Sequence, residues 1–337
     1  MKYSGIDLHS NNSVVVVTDE EDRVVAQKRL PNDLAKLIAF LRPWREDLVG
    51  VVVESTDNWY WLVDGLQAAG FMVKLAHTGA VRQYDGLKHS GDEAEARHLV
   101  LLLRLGILPT GTILPPEQRA IRDLARKRMQ LVRTRTSHII AIENILARQK
   151  GATISSNAIK RLTPDGLAAM GLPADVELAL ASNLAVVATL NAQIDRLEKR
   201  LQERLGDRPE YALLTSTPGI GRILASVILL ETGPIERFKA VGNYASYARC
   251  VDSQRTSNGK KKGEGNTKNG NKYLVWAFIE AANFALRFNA EAKRFYEKKK
   301  ARTNNLVATK ALAHKLARAC YHILKERKPF DVTRCFA

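Results

Sequence analysis

Cysteine is scarce in this chain. The three that occur, Cys250, Cys320 and Cys335, are odd in number and show no CxxC spacing. That argues against a disulfide framework and against a structural zinc site. Acidic residues are also in short supply: 35 Asp and Glu stand against 52 Lys and Arg, a formal net charge of +17. Long apolar runs are lacking as well. Read along the chain, no stretch approaches the ~20 residues that span a bilayer, and the opening MKYSGIDLHS has no secretory core. The expectation is a cytoplasmic protein without a membrane partner. Basic residues recur throughout the chain rather than on one amphipathic helix, which points away from a lipid surface. They point instead to nucleic acid, because neutralising phosphates releases counterions and drives binding. With 337 residues, 45% of them hydrophobic, the chain is long enough for two or three domains with cores of their own.

Residues 1 to about 105 alternate strand and helix signals. Tyr3–His9, Ser13–Thr18 and Arg23–Leu30 read as three meandering strands, the second built on the β-branched run Val14–Val17. Asn32–Arg45 has helical spacing, with Leu34, Leu37, Ile38 and Leu41 on one face. Leu48–Glu54 is a continuous apolar run ending in an acid, as in a strand buried on both faces. A helix at Trp59–Ala69, a strand at Phe71–His77 and a helix at Gly91–Leu105 follow. The order β-β-β-α-β-α-β-α is that of a ribonuclease-H-like α/β domain, here residues 1–115. Residues 116–210 read as a basic helix and coiled-coil region. Between Arg119 and Arg135 seven cations, Arg126 and Arg128 among them, meet one acid, Asp123. Val187, Leu190, Ile194, Leu197 and Leu201 are spaced 3, 4, 3, 4, a coiled-coil seam that would pair within the chain or between two chains. Residues 211–337 form a mostly α C-terminal domain, with helices at 272–300 and 306–327 and a Gly/Lys/Asn/Ser-rich loop at 252–272.

Four acids in the first domain form a pattern. Asp7 lies on the first strand, on the face opposite Ile6 and Leu8. Glu54 ends the buried strand, where a charge needs a partner or a cation. Asp92 and Glu95 are three apart on a helix and point the same way. The first and fourth strands are neighbours in such a sheet and the last helix crosses their ends, so the four should converge. Clustered carboxylates repel unless protons or hard cations offset them, and Mg²⁺ suits oxygen ligands. Taken singly, each of these acids is as ordinary as a strand-end cap or a helix-dipole partner. Glu93 points roughly 100° away on the helix and stays outside the set.

The loop is the second feature. From Arg255 to Lys272 it carries six cations (Arg255, Lys260, Lys261, Lys262, Lys268 and Lys272), one acid and four glycines. Glycines admit close approach of backbone amides to phosphate, and lysines add point charge. A solvated loop with no function would have much the same composition. Ser257 in this setting is placed to attack phosphorus, with Ser253 as its competitor, but no histidine lies nearby in sequence to take the proton. Thr217-Pro218-Gly219-Ile220-Gly221 resembles a hairpin that grips phosphate through the backbone at Gly219 and Gly221. An ordinary interhelical turn would look the same.

Gly5-Ile6-Asp7-Leu8-His9, Val53-Glu54-Ser55-Thr56, Asp92 to Leu99, Leu103 to Pro109, Arg122-Asp123-Leu124, Thr217 to Gly221, Ser257-Asn258-Gly259-Lys260 and Thr267 to Leu274 resemble, in order and over nearly the whole chain, the DEDD insertion-sequence transposases of the one-ten type. The resemblance implies a RuvC-like domain, a coiled coil and a C-terminal transposase domain. It implies that Asp7, Glu54, Asp92 and Glu95 are the four acidic positions holding Mg²⁺, and that Ser257 forms a phosphoserine link during strand exchange. It also implies a bridge RNA that selects donor and target DNA, and dimers that join into a tetramer. Each active site would then combine acids of one subunit with the serine of another. The chain departs from the pattern at Glu95, where Asp is usual, and at Asn258, where Gly is usual.

Three functions follow, two of them enzymatic and the third from a different class. The first is a bridge-RNA-guided recombinase working through Ser257. The second is a RuvC-like metal-dependent junction nuclease in which water attacks. The third is a nucleic-acid-binding protein without catalysis, which would gain nothing from clustered negative charge.

Overall fold

The computed structural model describes residues 1–56, 58–81, 91–151, 153–253, 255–263 and 269–336. The chain divides into two compact units, Met1–Pro116 and Glu117–Ala337.

The first unit is a mixed sheet with helices on both faces. Its strands are β1 (Lys2–Leu8), β2 (Asn12–Thr18), β3 (Val24–Pro31), β4 (Leu48–Glu54), β5 (Val73–Ala76) and β6 (Thr110–Gly111), in the order β3-β2-β1-β4-β5-β6. β1 pairs antiparallel with β2 and parallel with β4. Helices α1 (Leu34–Leu41) and α2 (Tyr60–Ala68) cover one face. There Leu37, Leu41, Leu62 and Leu66 pack on Ile6, Leu8, Val15, Val17, Val51 and Val53. Side chains of this size each contribute about 1.5–3 kcal/mol when removed from water. Helix α3 (Asp92–Arg104) crosses the other face, burying Ala96, Leu99 and Val100 against Val14, Val16, Val52 and Ala76. The valine run of β2 is therefore buried on both sides, consistent with β-branched residues favouring a pleated, two-faced environment.

Gly5 determines how close α3 comes. A Cβ at that position would overlap the Ala96 carbonyl oxygen and lie 2.7 Å from Val100 Cγ2. Only a residue without a side chain lets the first turns of α3 rest on β1.

The second unit is helical apart from one hairpin. α4 (Pro116–Lys150) and α7 (Ala174–Leu205) run antiparallel, with the short helices α5 (Ser156–Ile159) and α6 (Pro164–Ala168) between them in sequence. Ile139, Ile142 and Leu146 meet Leu180, Leu184 and Val187. Arg135 Nη1 donates to Asn191 Oδ1 at 2.8 Å, and His138 Nδ1 lies 2.9 Å from Asn183 Oδ1. The two long helices thus pair within the chain. In the heptad seam Val187, Ile194 and Leu201 are buried, while Leu190 and Leu197 are half-buried.

One expectation is corrected here. No charge occurs from Leu178 to Ile194, and α7 is long and apolar enough by composition to cross a membrane. Ser182, Asn183, Thr189 and Asn191 interrupt the apolar character of this run, so it does not stand out as a continuous hydrophobic stretch. In the fold its apolar stripe faces α4.

The remaining helices are α8 (Pro209–Thr215), α9 (Arg222–Thr232), α10 (Val241–Tyr247), α11 (Lys272–Phe288), α12 (Ala290–Lys300), α13 (Asn305–Glu326) and α14 (Val332–Phe336). The single helix expected at 272–300 is two. Asn289 leaves helical geometry (φ −138°, ψ 120°), and its side chain caps the second by accepting from the Ala292 amide. Ile121, Ala125, Leu201 and Leu205 share one core with α9, α11 and α13. The ends of the long helices therefore belong to the same hydrophobic body as the C-terminal segment.

Candidate functional site

Cross-strand register places the chemistry of the first unit. Asp7 of β1 is opposite Val14 of β2, and Val14 is opposite Arg29 of β3. The three share one row on the face that α3 covers. Glu54, at the end of β4, points to the same face as Val52. Asp92 and Glu95 lie in the first turn of α3. All four acids named from the sequence are brought to one end of the sheet, and Glu93 is exposed away from them.

Asp7 is the buried member at 1% exposure, and its Oδ2 has no hydrogen-bond partner. The Glu54 carboxyl is half-buried, and its pKa is pushed up to about 7 by burial, then by a hydrogen bond and charge from Asp7, and by the charge of Glu95. Asp92 is held below the usual carboxylate range, chiefly by a hydrogen bond from Arg29 Nη2 at 2.5 Å.

His9 and Arg29 are the residues that sequence reasoning missed. His9 Nε2 lies 3.0 Å from Asp7 Oδ2 and 3.2 Å from Asp92 Oδ2. One ligand atom each from Asp7, His9 and Asp92 falls within 4.8 Å of the others, a spacing that fits a metal ion. His9 was findable, since strand alternation puts it on the side of Asp7, two residues back. Arg29 required knowledge of the β2–β3 register.

The donor set suits a divalent cation. A buried carboxylate oxygen lacks a hydrogen bond, a neighbouring carboxyl resists ionisation beside it, and an imidazole nitrogen stands within ion-pair distance of Asp7 and Asp92. Asp7, His9 and Asp92 offer ligand atoms close enough to share one ion, and Glu54 and Glu95 carry their charges beside them.

In the second unit, the segment read as a loop is partly a hairpin. β7 (Arg255–Ser257) pairs antiparallel with β8 (Lys260–Gly263), Ser257 standing opposite Lys260. The turn residues Asn258 and Gly259 have φ of 50° and 71°. Two positive φ values in a two-residue connection are what Asn-Gly provides most readily, and they match the twist of the flanking strands. This Asn-Gly signal was open to sequence reading, but the cations and glycines around it gave the segment the look of a loop. Ser257, Lys260, Lys261 and Lys262 are exposed, whereas the Ser253 hydroxyl is buried without a hydrogen-bond partner. Lys268 lies outside the described residues.

The segment is fixed at both ends. Asp252 pairs with Lys310 at 2.6 Å, and Arg249 Nε donates to the Gly270 carbonyl. Asn271 caps α11 by accepting from the Tyr273 and Leu274 amides, and its Nδ2 donates to Glu231 Oε2 at 2.7 Å. Lys272, exposed, opens that helix, with its ammonium 5.4 Å from the Tyr273 ring.

Arg126 and Arg128, expected as phosphate contacts, are engaged inside the fold. Arg126 makes a two-pronged pair with buried Glu231 (2.6 and 2.8 Å) and stacks over Tyr273. Arg128 pairs with Glu198 at 2.7 Å. A helix this basic looks like an open cationic face, because partners 70 and 105 residues away are invisible locally.

Gly219 has positive φ (84°), and a Cβ there would overlap the Ala281 carbonyl, so it serves the close packing of the turn on α11. Gly221 is exposed at the N-terminus of α9, which has no side-chain cap. A cavity of about 1170 Å³ lies beside this turn, lined among others by Lys199, Arg222 and Phe288.

Comparison with known proteins bears on both units. Residues 4–149 match the DEDD transposase family of the IS110 type, and residues 211–297 match the family described as "Transposase IS116/IS110/IS902 family". The chain is 26% identical over 335 residues to a "Probable family 20 transposase" of Pseudomonas aeruginosa, covering 95% of this chain and 96% of that one. It is 25% identical over 343 residues to the "Transposase for insertion sequence element IS1328" of Yersinia enterocolitica, covering 97% and 98%. A 43.6 kDa protein of insertion element IS110 from Streptomyces coelicolor is 29% identical over 124 residues, 37% of this chain and 30% of that one.

Proposed function

From the premise that this chain belongs to the IS110-type DEDD transposases, DNA-cleaving and strand-transferring enzymes of insertion sequences, we propose that it is a bridge-RNA-guided recombinase that works through a phosphoserine intermediate at Ser257. The observation that carries this reading is the exposure of Ser257 beside an Asn-Gly turn flanked by Lys260, Lys261 and Lys262, while the competing Ser253 hydroxyl is buried. A nuclease that uses water needs the acids but no such serine.

In this reading Ser257 Oγ bonds to the scissile phosphorus and the bond from phosphorus to the departing sugar oxygen breaks. The serine proton ends on that oxygen. Rejoining is the reverse, with a hydroxyl from the exchanged strand. Lys260, Lys261 and Lys262 bring the phosphate to the hairpin, and Gly221 offers amides at the start of α9. Asp7, Glu54, Asp92 and Glu95 hold a divalent cation, Mg²⁺ being the default for carboxylate ligands. Such an ion would supply positive charge where negative charge builds on phosphate oxygens. Dimers, and a tetramer around two DNA segments, are part of the same reading, as is work in the cytoplasm.

The test is a strand-exchange assay with purified protein, RNA transcribed from the flanking element, donor and target DNA, and Mg²⁺. Denaturing gels are read for covalent protein–DNA adducts. Adducts in wild type that vanish in Ser257→Ala and Asp7→Ala are expected. Cleavage without adducts that survives Ser257→Ala would establish the junction-nuclease alternative instead.

A further inference from the structure

We propose that His9 is a nitrogen ligand of the divalent ion and biases the site toward Mn²⁺ over Mg²⁺. The inference rests on the reading of the acids as a metal centre and adds a ligand and a metal preference to it.

The first support is the shape of the gap. Asp7 Oδ2 is a buried atom without a hydrogen-bond partner among the described residues, and His9 Nε2 faces it at an ion-pair distance of 3.0 Å. With Asp92 Oδ2 3.2 Å from the same nitrogen, one ligand atom each from Asp7, His9 and Asp92 lies within 4.8 Å of the others, a spacing that fits one ion. Asp7 is almost wholly buried, so water offers little relief.

The second support is how firmly the His9 backbone is placed. Its N–H donates to the Asn12 carbonyl at 2.9 Å. Its carbonyl accepts from Asn32 Nδ2 at 2.9 Å and from Asn58 Nδ2 at 3.0 Å. Both amides are themselves oriented: Ser13 Oγ donates to Asn32 Oδ1 at 2.7 Å, and Thr56 Oγ1 to Asn58 Oδ1 at 2.9 Å. Four side chains from three segments thus fix one residue just beyond the end of β1. Outer groups that orient ligands in this way are a regular feature of metal sites. A surface histidine serving only as a counter-charge to Asp7 and Asp92 has no need of them.

The third support is ligand chemistry. Mg²⁺ favours an octahedron of oxygen donors and keeps several waters. Imidazole raises affinity for first-row transition ions, and Mn²⁺ is the member of that series that also accepts several carboxylates. Four acids alone favour Mg²⁺, and an imidazole nitrogen coordinating among them shifts the balance.

The experiment uses the full-length protein and Mn²⁺ alone. Pulsed electron paramagnetic resonance reads coupling between bound Mn²⁺ and directly coordinated ¹⁴N, and Mg²⁺ competition reads selectivity. Wild type is expected to show imidazole nitrogen coupling. His9→Ala should remove it, lower Mn²⁺ affinity about tenfold or more and leave Mg²⁺ affinity within about threefold. The wild-type spectrum decides the ligand question even if a variant folds poorly. Mn²⁺ bound in an Asp7-dependent manner without nitrogen coupling would overturn the proposal and leave the metal centre standing, with His9 a counter-charge. No Asp7-dependent binding of Mn²⁺ or Mg²⁺ would overturn the metal centre and this inference together.

Discussion

Glu54 and Asp7 stand side by side at the ends of adjacent parallel strands, and the Glu54 carboxyl, opposed first by burial and then by Asp7, titrates near 7 rather than near 4.5. The pairing is unfavourable when both are ionised and no cation is present, so it ties pH to metal in a definite direction.

Metal binding should release a proton in the neutral range. Below pH 7 Glu54 holds a proton that the ion must displace, so affinity for a divalent ion rises as pH passes from about 6 to 8. For the metal-free protein the sign is opposite. The folded pKa is raised, so this group's contribution to stability is full below pH 4.5 and is lost as pH climbs to about 7. Thermal unfolding in chelator across pH 5–8 should show that loss, and Glu54→Gln should flatten both curves. A wild-type affinity independent of pH would contradict the arrangement.

Gly5 sets the height of α3 over the sheet. Gly5→Val should overpack this contact, lowering stability by about 1–3 kcal/mol. It should also weaken metal binding, because Asp92 and Glu95 ride on the displaced turn. Denaturant unfolding and calorimetric titration measure the two. Unaltered metal affinity in a destabilised variant would mean that α3 tilts without moving its first turn.

The Glu231 network holds the C-terminal end of the serine hairpin segment. Glu231→Ala leaves Arg126 partly buried without its carboxylate and Asn271 with only the Tyr247 hydroxyl, at 3.3 Å, to accept from its amide. A loss of about 3 kcal/mol is expected by denaturant unfolding. Asn271→Ala removes the α11 cap and should lose about 1 kcal/mol from that cap alone. Near-zero effects would show that water replaces the buried pair.

The Asn-Gly turn can be tested apart from the serine. Gly259→Val demands positive φ from a β-branched residue, which strains the turn. Adduct formation should slow markedly while Ser257 itself is intact. Asn258→Gly, which relieves the strain at φ 50°, should preserve it. Quantifying adducts over time on denaturing gels separates the two.

Much of the first unit was legible locally. Glu54 ends an unbroken apolar run, and Asp92 and Glu95 sit three apart before a helical face, so type and order of element followed from periodicity alone. Arg126 shows the opposite case. Its neighbours in sequence are cations, which suggests an open basic face, yet its carboxylate partner is on α9. The hairpin at Ser257 lay between these cases. Its turn dipeptide was plain, but three consecutive lysines on β8 masked the strand.

The sequence by itself determined the main strands and helices of the first unit, and that four carboxylates ride on them, because alternation and helical spacing act over a few residues. Tertiary structure decided which groups those carboxylates meet. Arg29 reaches Asp92 because Asp7, Val14 and Arg29 fall in one row across three strands, and Asn32 and Asn58 hold the carbonyl of His9, which alternation already puts on the side of Asp7. Register and long-range hydrogen bonds depend on the whole core closing at once, and no window of the sequence contains them.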